Sequence, residues 1–148
     1  MKLSASCIVF RDNHVLLVRH TYGAAKGKFL IPGGFAEPGE LPDKAAEREF
    51  FEETKIKITT KELVAVRFTS EEIWCIFSAE YLSGEPESDH KENNAAVFID
   101  IDTAVESDDV VETTRVLIKS MLSADKNHLA KSAFVNAKFT KNEWQLFV

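Results

Sequence analysis

Leu3, Ala5, Cys7 and Val9 alternate with Ser4, Ser6, Ile8 and Phe10 at the start of the chain. That period of two, with apolar residues in both registers, predicts a strand covered on both faces. Asp12-Asn13 supplies a turn, and residues 14–19 read as a second strand of a hairpin. Gly23, Lys26 and Gly27 interrupt the pattern between His20 and Lys28. Phe29-Leu30-Ile31 is then a short apolar segment stopped by Pro32-Gly33-Gly34, and Glu37-Pro38-Gly39-Glu40 forms a second turn. From about 42 to 54 the residues are good helix formers interleaved with Phe, and Pro42 suits a first helical turn. Segments 62–69 and 73–82 read as strands split by Ser70-Glu71-Glu72; a polar loop, 83–94, precedes a short strand at 95–100. Helical spacing returns at 110–122, with Ser107 or Asp108 as the predicted N-cap, and 143–148 reads as a last strand. Mixed strands with few helices place the chain in the α/β or α+β class.

Length and composition fit one packed unit. The chain has 148 residues, 45% hydrophobic and 28% charged, which excludes a disordered polymer. Residues 1–148 are therefore read as a single domain, with 125–148 as a C-terminal extension. Acidic residues outnumber basic ones, 24 to 18, for a net charge of −6 with no dense basic block. DNA is thus not an expected partner, whereas a small phosphorylated ligand is compatible once a metal ion offsets its charge. No apolar run is long enough to span a membrane, and no apolar leader precedes Cys7. Cys7 and Cys75, the only thiols, sit among apolar neighbours and are expected to be buried and reduced, in a cytoplasmic protein.

The chemistry concentrates in Glu47-Arg48-Glu49-Phe50-Phe51-Glu52-Glu53. At ~100° per residue, Glu52 and Glu53 flank Glu49, so three carboxylates share an arc of roughly 100°. Each like-charge contact at i,i+3 or i,i+4 costs about 0.2–0.5 kcal/mol. The acids also lie in the C-terminal half of the helix, which disfavours anions by about 0.3–1 kcal/mol each when exposed. A solvated acidic face is the ordinary outcome for a Glu-rich helix. Here, two local rules are broken at one place, directly after a glycine-rich loop that can bring bare backbone close. Clustered carboxylate oxygens suit a hard divalent cation, Mg²⁺ or Mn²⁺, bridging the protein and a phosphorylated ligand. Phe50 is predicted to point inward and hold the helix against a sheet.

Gly34, five residues, Glu40, seven residues, Arg48-Glu49, Phe50, any residue, then Glu52-Glu53 resembles the Nudix box of hydrolases that act on nucleoside diphosphates linked to another moiety. Phe29-Leu30-Ile31-Pro32-Gly33-Gly34 is similar to the usual approach to that box, and the resemblance runs to about residue 122. One position departs from the pattern. Lys55 stands where the box carries Gly, and a Lys held at positive φ there costs on the order of 1 kcal/mol.

The resemblance implies an α/β/α sandwich around a mixed β-sheet, and metal-dependent attack of water on a pyrophosphate. By the same resemblance Glu52 and Glu53 are metal ligands, Glu49 a ligand and general base, and the Gly34 carbonyl a further ligand. Glu40 and Arg48 brace loop to helix. A later acid is expected from the polar loop: Glu92 is the first choice, with Glu85, Glu87 and Asp89 as competitors and His90 as a bystander. Arg19, and Lys26 or Lys28, are candidates for substrate phosphates, Arg as a fork of donors and Lys as a point charge. Phe68 and Trp74 are either core or a stacking surface for a base. His14, His20 and His128 show no ligand spacing. For residues 136–148 three roles stay open: extending the sheet, covering the site, or pairing two subunits as a homodimer. The other functional reading is a Nudix-like module that binds a nucleotide without cleaving it.

Overall fold

In the computed structural model, residues 1–124, 133, 134, 136–138 and 144–148 are described. Strands β1 (Lys2–Arg11) and β2 (His14–His20) form the first hairpin, and both Asp12 and Asn13 take positive φ at its tip. After β3 (Phe29–Leu30) and β4 (Gly33–Phe35) comes helix α1 (Pro42–Thr54), as its composition predicts. Strands β5 (Lys57–Thr69), β6 (Glu72–Ser83) and β7 (Asn93–Asp100) follow, then helices α2 (Ile101–Glu106) and α3 (Glu112–Leu122), and strand β8 (Trp144–Phe147).

All eight strands join one sheet in the order β3-β2-β1-β6-β5-β8, with β4 also on β1 and β7 on β2. The β1–β6 pair is parallel and the rest are antiparallel, so the sheet is mixed. β1 pairs with β2 only near the tip, at Phe10↔Val15 and Arg11↔His14. Its first half pairs instead with β4, from Ser4↔Phe35 to Ser6↔Gly33. The strands of the hairpin thus part company, and β4 enters beside the opening.

Alternation along β1 assigns its side chains to two cores. Ala5, Cys7 and Val9 pack with Ala45, Ala46 and Phe50 of α1. Ile8 joins Ile76 and Ala65 with Leu117 and Ile118 of α3 and Leu146 of β8. Helices therefore cover both faces, the three-layer arrangement expected from the sequence. Phe50 is fully buried, as its position on α1 predicts.

Three local expectations need correction. α2 is absent from the sequence reading, although Asp100 caps it by accepting from Thr103 N at 2.9 Å. α3 begins at Glu112 after Val111, not after Ser107 or Asp108. Phe29 N donates to Asp109 O at 2.7 Å and Val111 N to Phe29 O at 2.9 Å. Tertiary backbone pairing thus claims residues that helical spacing alone would include. Cys7 is buried and Cys75 only half-buried, and both thiols are free. Among the described residues no helix is long and apolar enough to cross a membrane. His128 lies outside the described residues, and of the tail 144–147 lies on β5 as β8.

Candidate active site

α1 presents its acids in three different environments. Glu52 is largely exposed, with 56% of its side chain accessible, whereas Glu49 keeps 14% and Glu53 is buried. The arc that looks uniform on a helical wheel is therefore graded by how each position faces the β4 backbone and the 83–94 loop. An entirely solvated acidic face is ruled out by Glu53.

Glu53 Oε1 accepts from Gly33 N at 3.2 Å, and its Oε2 is buried without a hydrogen-bond partner among the described residues. Burial pushes its carboxyl up to about 8; the Gly33 bond opposes this, and Glu92, Glu49 and Asp89 reinforce it. Glu49 is also raised, first by burial and then by Glu52 and Glu92, against the pull of Arg48. A Cβ on Gly34 would lie 2.5 Å from Glu49 Cδ, so the bare backbone is what lets β4 approach the acid.

Arg48 ties the loop to the helix. Its Nε and Nη2 donate to Glu40 Oε1 and Oε2, each at 2.9 Å, and Nη2 also reaches Phe35 O at 3.1 Å. This bidentate pair joins the loop that carries Glu40 to α1. It holds Glu40 down to about 2, chiefly through the Arg48 hydrogen bonds. Arg48 Nη1 also donates to Glu49 at 2.8 Å and to Glu52 at 3.4 Å.

The loop between β6 and β7, residues 84–92 where the sequence pattern suggests 83–94, returns to the same place with the start of β7. Glu87 N donates to Thr54 O at 2.9 Å, and the buried Asn93 donates from Nδ2 to Glu53 O at 3.0 Å. Asp89 Oδ1 accepts from the backbone N–H groups of Lys91, Glu92 and Asn93 at 2.8, 3.0 and 3.1 Å. This knot presents Glu92. A cavity of about 340 Å³ is lined by Glu49, Glu52, Glu53, Lys55, Asp89, Lys91 and Glu92. Of the loop acids, Glu92 and Asp89 reach it, while Glu85, Glu87 and His90 do not line it.

A second cavity of about 430 Å³ shares Glu49 and Glu92 with the first. It extends past Gly34 to Ser4, Ser6, Arg67, Glu72 and Trp74. Arg19 and Lys28 line neither cavity. Arg19 Nε donates to Asn94 Oδ1 at 2.7 Å, and Lys28 Nζ donates to Asp108 O. The cations that do line the walls, Arg67, Lys55 and Lys91, are absent from the sequence reading of substrate contacts. Arg67 has a sequence signal: it shares the strand parity of the buried Ala65, an inward position for a charge.

Among the described residues no three acidic, histidine or cysteine side chains already converge as a metal cage. The donors nevertheless fit a hard divalent cation. They are carboxylate oxygens, one of them buried and unpartnered, beside a backbone segment where a Cβ is excluded.

The chain is 30% identical over 129 residues to the NAD-capped RNA hydrolase NudC of Edwardsiella ictaluri, covering 80% of this chain and 48% of that protein. It is 41% identical over 59 residues to the ADP-ribose pyrophosphatase of Methanocaldococcus jannaschii, covering 40% and 35% respectively. The chain thus spans less than half the length of these curated relatives. Its fold is similar to the crystal structure of a MutT NUDIX hydrolase from Burkholderia pseudomallei, with a TM-score of 0.71 at 21% identity, covering 80% of this chain and 96% of that one. The solution structure of the E. coli ORF135 protein is also similar, with a TM-score of 0.63 at 25% identity over 82% and 88% of the two chains. The family model described as the NUDIX domain matches residues 1–121, the span that carries α1, its glycine approach and the sheet beneath them; the chain belongs to the NUDIX family.

Proposed function

We propose that the protein is a divalent-metal-dependent pyrophosphohydrolase acting on a nucleoside diphosphate linked to another moiety. The observation that carries this reading is the buried, unpartnered Glu53 Oε2 on a cavity wall shared with Glu49, Glu52 and Glu92. A carboxylate left so is costly unless a cation completes it. Nudix hydrolases generally need a divalent metal. The relatives' names, NAD-capped RNA hydrolase and ADP-ribose pyrophosphatase, support a nucleotide-type substrate.

Glu52, Glu53, Glu49 and Glu92, with the Gly34 carbonyl, would hold Mg²⁺ or Mn²⁺. When bound, the ion offsets phosphate charge, lowers the pKa of the attacking water and orients the leaving group. Glu49, largely shielded and raised, takes the proton from water as the water oxygen bonds to phosphorus and the bridging P–O bond breaks. Two phosphorylated products leave. Arg48 keeps Glu40 and the Phe35 carbonyl fixed against α1, so that Gly34 and Glu49 stay in register. Lys55 and Lys91 on the cavity wall supply positive charge near the phosphates.

The test is turnover. Purified protein with Mg²⁺ or Mn²⁺ is incubated with nucleoside triphosphates, nucleotide sugars, ADP-ribose, dinucleotides and dinucleoside polyphosphates. Cleavage of one class at the pyrophosphate supports the enzyme. If no compound is cleaved but one raises the melting temperature, the chain is the nucleotide-binding module instead.

A further inference from the structure

The larger cavity has a polar end that the hydrolytic reading does not use. Ser4 and Ser6 of β1, Arg67 of β5, and Glu72 and Trp74 of β6 share the sheet face that buries Ile8, Ala65 and Ile76. The apolar face thus ends in a polar constellation. Trp74 Nε1 donates to Ser6 Oγ at 2.9 Å, and the Arg67 guanidinium lies 4.7 Å from the Trp74 ring centroid. Ser4 Oγ donates to Glu72 Oε1, and Arg67 Nη2 donates to Glu72 Oε2 at 2.5 Å.

The bonds leave a defined remainder. Each Glu72 oxygen has accepted one bond and, as a carboxylate oxygen, has capacity for a second. Arg67 has given one N–H to Glu72; its Nε is enclosed and without a partner among the described residues, so the Nη N–H groups that Glu72 does not take are the ones left for a ligand. Three-quarters of the Glu72 side chain is shielded, and about four-fifths of that of Arg67. The pair is neutral overall, so it has little attraction for a phosphate; a planar neutral group with both donors and acceptors fits it better. Tyr22 and Phe35, each about half exposed, line the same cavity and offer aromatic surface to such a ring.

We propose that this end of the cavity binds the base of the nucleotide and selects guanine. Among the common bases only guanine presents an acceptor, O6, beside two adjacent donors, N1–H and N2–H₂. That order matches a guanidinium beside a carboxylate with a free site on each oxygen. Adenine, cytosine and uracil each place an acceptor next to their donor, which would face one Glu72 oxygen and repel it. The preference sets this chain apart from relatives named for NAD and ADP-ribose, both adenine compounds. It rests on the proposed hydrolysis only for the assignment of Glu49 and Glu92 to the phosphate end.

Binding of nucleoside monophosphates in EDTA isolates the base site from metal and turnover. By calorimetry, GMP is expected to bind at least about tenfold more tightly than AMP, CMP or UMP. Inosine monophosphate, which lacks the N2 amino group, is expected to lose most of that advantage without any change to the protein. Glu72→Gln, checked for folding by circular dichroism, is expected to bring GMP down to the affinity of AMP. Equal affinity for the four bases, no binding of any, or inosine monophosphate equal to GMP would overturn the proposal, whatever the turnover panel shows. Guanine-selective binding without turnover would leave the base site standing and remove the hydrolase.

Discussion

A carboxyl as deeply enclosed as Glu53 changes how the protein answers to pH. Its folded value is about 8, raised above the ordinary 4.5 mainly by burial. Between those values the metal-free folded chain keeps a proton that the unfolded chain has lost. Its stabilising effect is therefore full below about 4.5 and is lost as pH rises through about 8. In EDTA, the melting temperature of the wild type is expected to fall across that window, and that of Glu53→Gln to be flatter. Parallel profiles would contradict the enclosure of Glu53. With metal present, Glu52→Gln and Glu53→Gln are each expected to lower kcat by more than about tenfold while the proteins stay folded. Sequence made the three acids conspicuous through spacing and helix polarity. It could not rank them, because their inequality comes from Gly33, Gly34 and the 83–94 loop, all remote along the chain from Glu53.

Elements show the same division between local and long-range causes. α1 was legible in place and extent, since Pro42 starts it and its composition is uniform. Its end was legible too: Lys55 takes φ 62, the left-handed conformation foreseen for the usual Gly position. The chain softens that cost with Lys55 Nζ donating to Glu52 O at 3.0 Å. Lys55→Gly is expected to raise the unfolding free energy by about 1 kcal/mol, read by chemical denaturation. The loop after β6 was less legible. Glu92 was favoured by the sequence after it, but the role of Asp89 depends on a turn that only the folded loop displays. Asp89→Ala frees three backbone N–H groups beside Glu92 and is expected to lower kcat at least about threefold through misplacement of that acid. Asp89→Asn retains the accepting oxygen and is expected to keep most of the activity. Equal losses in both would point to charge instead of geometry. The start of α3 illustrates the limit from the other side, where pairing with Phe29 overrides helical spacing.

For the whole molecule, the proposed metal and nucleotide would act as ligands of the folded state alone. Removal of divalent ions is expected to abolish turnover, with Mg²⁺ or Mn²⁺ restoring it. Metal at about one hundred times its Kd is expected to stabilise by about 2.7 kcal/mol, measured as a rise in melting temperature. The three layers were implied by the family resemblance, the mixed elements alone giving only the α/β or α+β class. The polar end of the second cavity was not, because its walls come from β1, β5 and β6, which only the sheet order brings together. Arg67, read alone, is one charge in a strand. Beside Glu72 and Trp74 it is half of a recognition surface.

The alternation of β1 carries a further consequence. Ala5 and Cys7 seat the helix of acids, and the intervening Ser4 and Ser6 furnish the far chamber. One ribbon, clamped to β6 from Lys2 to Val9, therefore fixes the spacing between the seat of α1 and the Ser4 and Ser6 chamber. A change in that spacing would require breaking the pairing at the centre of the sheet.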